Sequence, residues 1–352
     1  MSCRPSAPFV SVRCLQAPSI LLFVVICGCA SHKGTSAGSN PLVSSPVEDA
    51  ATEAPQVPSP PQYTFKMDPF EIPAGSEFYK CQDRPNPFDH DVAIIRTESN
   101  VTFGTHHMFA FRISADSASF ADGGTTDIFD CPQGGLEFHP YFHLTQRAHD
   151  VTVYPPGVGR ALHSTDAVRM NIHFLNPGAT PITASGEVTI GYVDPSAVDQ
   201  LAAEIFIYSN SLKVPVGTST QVFSYRVPAD MKLLQVTGHM HRRGQHFEAA
   251  VIPSGEAGAA DDVDASARAA AAVSDAGARP LYSSDTWDEP VSLQLMPAFE
   301  ISAGDIVRYD CTFENDTDAG FVYGQSADTN EMCNLFGVYY PSPDGSGTLS
   351  GL

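Results

Sequence analysis

Nine short segments limit what this chain can fold into. Residues 91–96, 108–112, 167–174 and 187–192 are rich in β-branched and aromatic side chains, and turn residues close each one off. Residues 220–226, 247–252, 291–296, 306–310 and 335–340 repeat the pattern. Runs of this length and composition read as strands. Helical signal is weak except at 197–205. With 28 prolines and 27 glycines as punctuation, the chain is predicted to be all-β, built as two tandem antiparallel β-sandwiches. Its 352 residues leave room for about two domains once the ends are set aside. The boundary is expected near residue 198, giving domains at 63–198 and 199–345. Residues 254–279 are almost entirely Ala, Asp, Gly, Ser and Val, and read as a low-complexity insertion between two strands.

The N-terminus reads as a targeting segment. Arg4 and Arg13 precede an apolar stretch at 20–26 that is too short to span a bilayer, which takes ~20 apolar residues. It ends in Ile26-Cys27-Gly28-Cys29-Ala30, which has the form of a bacterial lipobox. The expectation is a signal peptide at 1–28, lipidation of Cys29 and a disordered Ser/Pro/Ala-rich tether at 29–62. Ala30, in place of Asp, favours the outer membrane; the alternative is plain secretion. Contact with a membrane is then expected only through the N-terminal lipid. A net charge of −21 argues against nucleic-acid binding, which needs a basic patch. Of eight cysteines, Cys3, Cys14 and Cys27 fall in the leader and Cys29 would carry lipid. Cys81, Cys131, Cys311 and Cys333 remain. An even number in an exported body implies disulfides; four cysteines allow three pairings.

Chemistry is concentrated in a few scattered residues: His106-His107, His173, His239-Met240-His241 and Met332. Five imidazoles with one thioether suit a redox metal, because a thioether is soft and selects copper, above all Cu(I). On a strand, His239 and His241 share one face and Met240 takes the other. His106 and His107 are adjacent, so joint binding needs a bulge, and Gly104 just upstream is suited to one. His139, His143, His149, His163 and His246 lack such a pattern and read as structural or surface residues.

These motifs, in this order, resemble the copper type II, ascorbate-dependent monooxygenases, the family of the peptidylglycine α-hydroxylating and dopamine β-monooxygenases. The matching text is Phe78-Tyr-Lys-Cys81, Thr105-His-His-Met108, Pro155-Pro-Gly-Val-Gly159, Ile172-His173, His239-Met-His241, Gly304-Asp305 and Glu331-Met-Cys-Asn-Leu335 with Tyr339-Tyr340. It spans roughly residues 63–345. The resemblance implies two jelly-roll-like β-sandwich domains facing a solvent-filled cleft, with two copper ions per chain. His106, His107 and His173 match the copper that relays an electron. His239, His241 and Met332 match the copper at which O2 and substrate react. The resemblance also implies the bridges Cys81–Cys131 and Cys311–Cys333.

The implied activity is hydroxylation of a C–H bond in a small organic or peptide-like substrate, using O2 and ascorbate or a similar one-electron donor. Candidate substrate contacts are Tyr79, Asn334, Phe336 and Thr237. The peptidylglycine enzyme has an arginine at the position of Thr237 and a tyrosine at that of Phe336, so a carboxylate clamp is missing here. Asn171 stands where that enzyme has a glutamine. The expected partners are O2 and a small molecule, with the chain a monomer. The alternative function is a non-catalytic copper lipoprotein for storage or delivery.

Overall fold

A computed structural model describes residues 59–118, 120, 126–131, 139–255, 277–343, 345 and 349–351. The expected leader, Cys29, most of the tether and most of the low-complexity insertion lie outside the described residues. The described chain is all-β. Two single-turn 3-10 helices, Ala115–Ser117 and Pro195–Ala197, are its helical content. All nine segments read as strands are strands.

Two sheets form from the first half. One has the order Gln62–Ile72, Ile182–Val193, Val92–Val101, Val158–Leu162, Gln200–Leu201, with His149–Val153 also pairing Val92–Val101. The other has the order Phe129–Asp130, Ser76–Pro85, Asp166–Asn176, Thr105–Ser114, Tyr141–Thr145. Their facing side chains, among them Phe65, Ile94, Met108, Ile172 and Ile190, meet in one buried cluster. The second half repeats the arrangement. A sheet ordered Leu293–Ile301, Met231–Met240, Cys333–Tyr340, Ala203–Ile207, Leu349–Gly351 shares a core with one ordered Gly217–Arg226, Ile306–Asn315, Gly244–Ile252, Arg279–Ser284. Cys81 is bridged to Cys131 and Cys311 to Cys333, the pairing the resemblance implied. The second bridge ties the two sheets of its half together. Each contributes roughly 3–4 kcal/mol in the chain-entropy model.

The inner strands of each half are buried on both faces, which departs from a simple in/out alternation. In Thr105–Ser114, Met108 and Ala110 face the first core, while Phe109, Phe111 and Ile113 face outward. There they meet Phe206 and Phe336 from the second half. A second apolar contact joins Tyr154 and Val158 to Ala202, Leu234 and Val338. Arg160 and Glu204, both fully buried, form an ion pair across the same seam. Tyr141 donates its hydroxyl to the carbonyls of Ile205 and Gly337. Through these residues the inner sheets of the two halves pack directly on one another.

The helical reading of 197–205 also needs correction. Asp194 accepts a hydrogen bond from the Ser196 N–H and caps a single 3-10 turn, after which the chain extends. Ala203, Ile205 and Ile207 face the second core, while Glu204 and Phe206 face the seam. That period of two is a strand buried on both sides. The apolar run resembled a helix because both faces needed apolar residues.

Candidate metal centre

The histidines lie where the inner sheets meet. Gly104 adopts φ +94°, a conformation glycine takes without strain. A Cβ there would sit 3.1 Å from the Phe174 ring. This turn feeds a bulge. Thr105 pairs with Phe174 and His107 with His173, leaving His106 as the extra residue. A bulge re-aims side chains, and here both adjacent imidazoles enter the same buried space; each is 4% exposed. His173 is fixed between His107 on one neighbouring strand and Tyr79 on the other. The Tyr79 ring stacks on His173 at 3.8 Å.

His239 comes from the second half, opposite Asn334 in the ladder, and His241 follows where the strand ends. Between them Met240 turns into the second core. The turn is closed by the Gly244 N–H donating to the His241 carbonyl. The two histidine sets are not held apart. The His106 ring centre lies 4.7 Å from that of His239 and 5.4 Å from that of His241. His107 lies 5.0 Å from His173 and 5.4 Å from His239. One nitrogen each of His106, His239 and His241 fall within 4.8 Å of one another. Imidazole nitrogens on a metal at ~2.0–2.1 Å are at most ~4.2 Å apart, so a small inward shift would let one ion span this group.

Burial sets the charge state of the cluster. It pushes His106, His107 and His239 well below the ordinary histidine value, and the neighbouring imidazoles push the same way. His241 is lowered to about 3, first by burial. Burial also lowers His173, against the opposing effect of its hydrogen bond to Glu77. All five are therefore neutral at pH 7, the form that ligates metal. Their hydrogen bonds divide the two ring nitrogens between roles. His173 Nε2–H donates to Glu77 Oε1 at 2.7 Å, and its Nδ1 is buried without a partner. His239 Nδ1–H donates to Gln146 Oε1 at 2.6 Å. His241 Nδ1–H donates to the Asn330 carbonyl at 3.4 Å, and its Nε2 has no partner. Neither nitrogen of His106 is bonded, nor is His107 Nδ1. One nitrogen held by an oxygen acceptor and the other left bare is the usual state of a metal-ligating imidazole. These residues fit copper.

Glu77 and Gln146 were not singled out in the sequence, and both bind across the seam. Burial raises the Glu77 carboxyl, but hydrogen bonds from His173, the Ala327 N–H and Ser326 outweigh it and bring it to about 2. Gln146 donates to Thr237 Oγ1 and the Gly238 carbonyl while holding His239. Neither lies in a motif, and only the pairing of distant strands brings them in. Trp287 also escaped notice; its ring lies 5.5 Å from His106.

Met332 is 3% exposed, and its sulfur accepts from Asn334 Nδ2 at 3.3 Å. Asn334 lies opposite His239 in the ladder, and its Oδ1 is buried and unpartnered. The remaining candidate substrate contacts are engaged within the fold. Tyr79 donates to the Gln325 carbonyl at 2.7 Å. Thr237 is held by Gln146. Phe336 stacks on Phe206 at 4.7 Å and meets Phe109 across the seam at 5.7 Å. Asn171 donates to both sulfurs of the first disulfide. Beside Met332, Glu331 is raised to about 7 by burial, against hydrogen bonds from Arg243.

Comparison with known proteins is informative over one segment. No curated protein matches the chain. Among solved structures, similarity is slight. A peptide-N(4)-(N-acetyl-β-D-glucosaminyl) asparagine amidase is 9% identical, with 80% of this chain and 97% of that one covered, at a TM-score of 0.31. The major capsid protein P2 of bacteriophage PM2 is also 9% identical, with 79% and 96% covered, at 0.26. Neither bears on fold or function. Residues 273–347 match the family model described as copper type II ascorbate-dependent monooxygenase, C-terminal domain. This stretch contains Met332 and the Cys311–Cys333 bridge but none of the five histidines, so the C-terminal part of the chain resembles that copper- and ascorbate-dependent family on its own evidence.

Proposed function

We propose that this chain is an exported copper monooxygenase, anchored by a lipid on Cys29, that hydroxylates a C–H bond of a small substrate with O2 and an ascorbate-type donor. The observation that carries the reading is the set of five buried, neutral imidazoles gathered at the seam, four of them with a nitrogen left bare. It is supported by the family match at 273–347. In this reading the two halves are sandwich domains, 63–198 and 199–345, meeting at the histidine seam. Five imidazoles and a thioether exceed the needs of one ion, so we assign two coppers. Following the resemblance, we give His106, His107 and His173 to one and His239, His241 and Met332 to the other, with His106 at the junction of the two sets. Copper supplies one-electron redox chemistry and activation of oxygen, with the thioether favouring Cu(I). The protein's part is positional. Glu77 fixes the tautomer of His173, Gln146 that of His239, and Asn334 orients the Met332 sulfur. Two disulfides suit an oxidising compartment outside the cytosol.

A second reading, copper storage or delivery, is favoured by how deeply the histidines are buried. Oxygen uptake separates the two. The copper-loaded protein with ascorbate should consume O2 at a rate that rises with a hydroxylatable substrate, and Met332→Ala should abolish the rise. Transfer of copper to an acceptor protein with no ascorbate-driven uptake would overturn the enzyme reading.

A further inference from the structure

His106 also borders an open pocket. The pocket is about 240 Å³ and is walled by Phe103, Leu175, Pro177, Arg242 and Trp287, with His106 at its inner end. Asp288 and Glu289 stand at its rim. The other four histidines do not line it. Phe103, on the turn before Gly104, is 79% exposed, so its ring face is open to a ligand in the pocket. Trp287 packs one side on the second core and lies 5.5 Å from His106. Two aromatic rings thus wall an opening that leads to the metal cluster. A dry apolar cavity of ~150 Å³ holds a benzene ring, so 240 Å³ suits one ring with a short substituent.

The charges select further. Arg242 is the cation of the pocket, and Asp328 holds it at 2.6 Å. Asp288 and Glu289 are exposed, and as solvated carboxylates they repel an anion at the mouth. We propose that this pocket binds an uncharged aromatic ring against Trp287 and Phe103 and rejects carboxylates. The inference goes beyond the monooxygenase reading and rests on the pocket alone.

The chain has one tryptophan, so its single indole N–H resonance reports on this pocket. The full chain, labelled with ¹⁵N-tryptophan and metal-free, would be titrated with benzyl alcohol and separately with benzoate. Benzyl alcohol should shift the indole signal saturably, and benzoate should bind at least tenfold more weakly. Phe103→Ala, a change at an exposed residue, should weaken benzyl alcohol binding several-fold while leaving the reporter in place. No saturable shift, equal binding of benzoate, or unchanged affinity in Phe103→Ala would overturn the proposal. Copper per chain, measured on the same preparation, keeps the two claims apart. Ring binding without copper uptake would sink the monooxygenase reading but not the pocket's ring binding; copper uptake without ring binding would sink the pocket alone.

Discussion

Glu77 ties the seam and the cluster together, so replacing it tests both. One carboxylate oxygen accepts from His173 Nε2 and the Ala327 N–H, each at 2.7 Å; the other accepts from Ser326 Oγ at 2.9 Å. Glu77→Ala removes three charge-assisted bonds, each ~1.5–3 kcal/mol in isolation. The carboxylate is 18% exposed, and water will replace part of what is lost, so the net cost is about 3–5 kcal/mol. A body of roughly 290 residues has an unfolding entropy near ~0.6 kcal/mol/K, which converts that cost to a fall of ~5–8 °C in Tm. Glu77→Gln is the sharper variant. It keeps the shape and one acceptor but loses the charge that fixes the His173 tautomer. Removing such an orienting partner weakens metal binding ~10–100-fold. The assay is competition for Cu(I) against a colorimetric chelator, alongside calorimetry. A lower Tm with unchanged copper affinity would show that Glu77 only fastens the seam, and would refute its role toward His173.

Three other outcomes follow from the same structure. Glu204→Ala should lower Tm by several degrees, because removing one partner of a buried pair costs ~3–5 kcal/mol and strands Arg160 in the seam; a shift under 1 °C would contradict this. Metal-free protein should lose stability as pH falls. Burial lowers His143 to about 3, so below the unfolded value of ~6.5 the unfolded state binds a proton that the folded state refuses. That costs up to ~1.4 kcal/mol per pH unit until about pH 3, and the five cluster histidines act in the same direction. Denaturant titrations between pH 7 and pH 5 should show this slope, reduced by about one proton in His143→Asn; a flat profile would be inconsistent with neutral buried imidazoles. Gly337→Ala should destabilise by ~1–3 kcal/mol or more, because the added Cβ meets the Gln235 carbonyl and lies 2.8 Å from Ile205 Cγ2; a wild-type denaturation midpoint would contradict that packing.

The all-β class was legible because β-branched runs ended by turn residues leave few other options. Gly104 beside adjacent histidines was enough to anticipate the bulge that points both His106 and His107 inward. The strand Met231–Met240, which carries His239, was less visible: Lys232 and Gln235 interrupt its apolar run, and a register shift between Leu233 and Gln235 breaks its period. The helical reading of 197–205 failed for a related reason, since a strand buried on both faces loses the polar alternation that marks strands. The contact between the inner sheets was not legible. Nothing local in the sequence reveals that Phe109, Phe206 and Phe336 form a shared apolar face. The residues that orient the histidines, Glu77 and Gln146, were out of reach for the same reason: 96 residues separate Glu77 from His173 and 93 separate Gln146 from His239.

The central claim is that the five histidines and Met332 hold copper. X-ray absorption on the reduced, copper-loaded protein, normalised to metal per chain, tests it most directly. The account predicts two coppers per chain, nitrogen ligands at both, and a fractional sulfur shell that vanishes in Met332→Ala while copper at the other histidine set remains. Less than one copper per chain, or a sulfur signal absent from the wild type or unchanged in Met332→Ala, would contradict it.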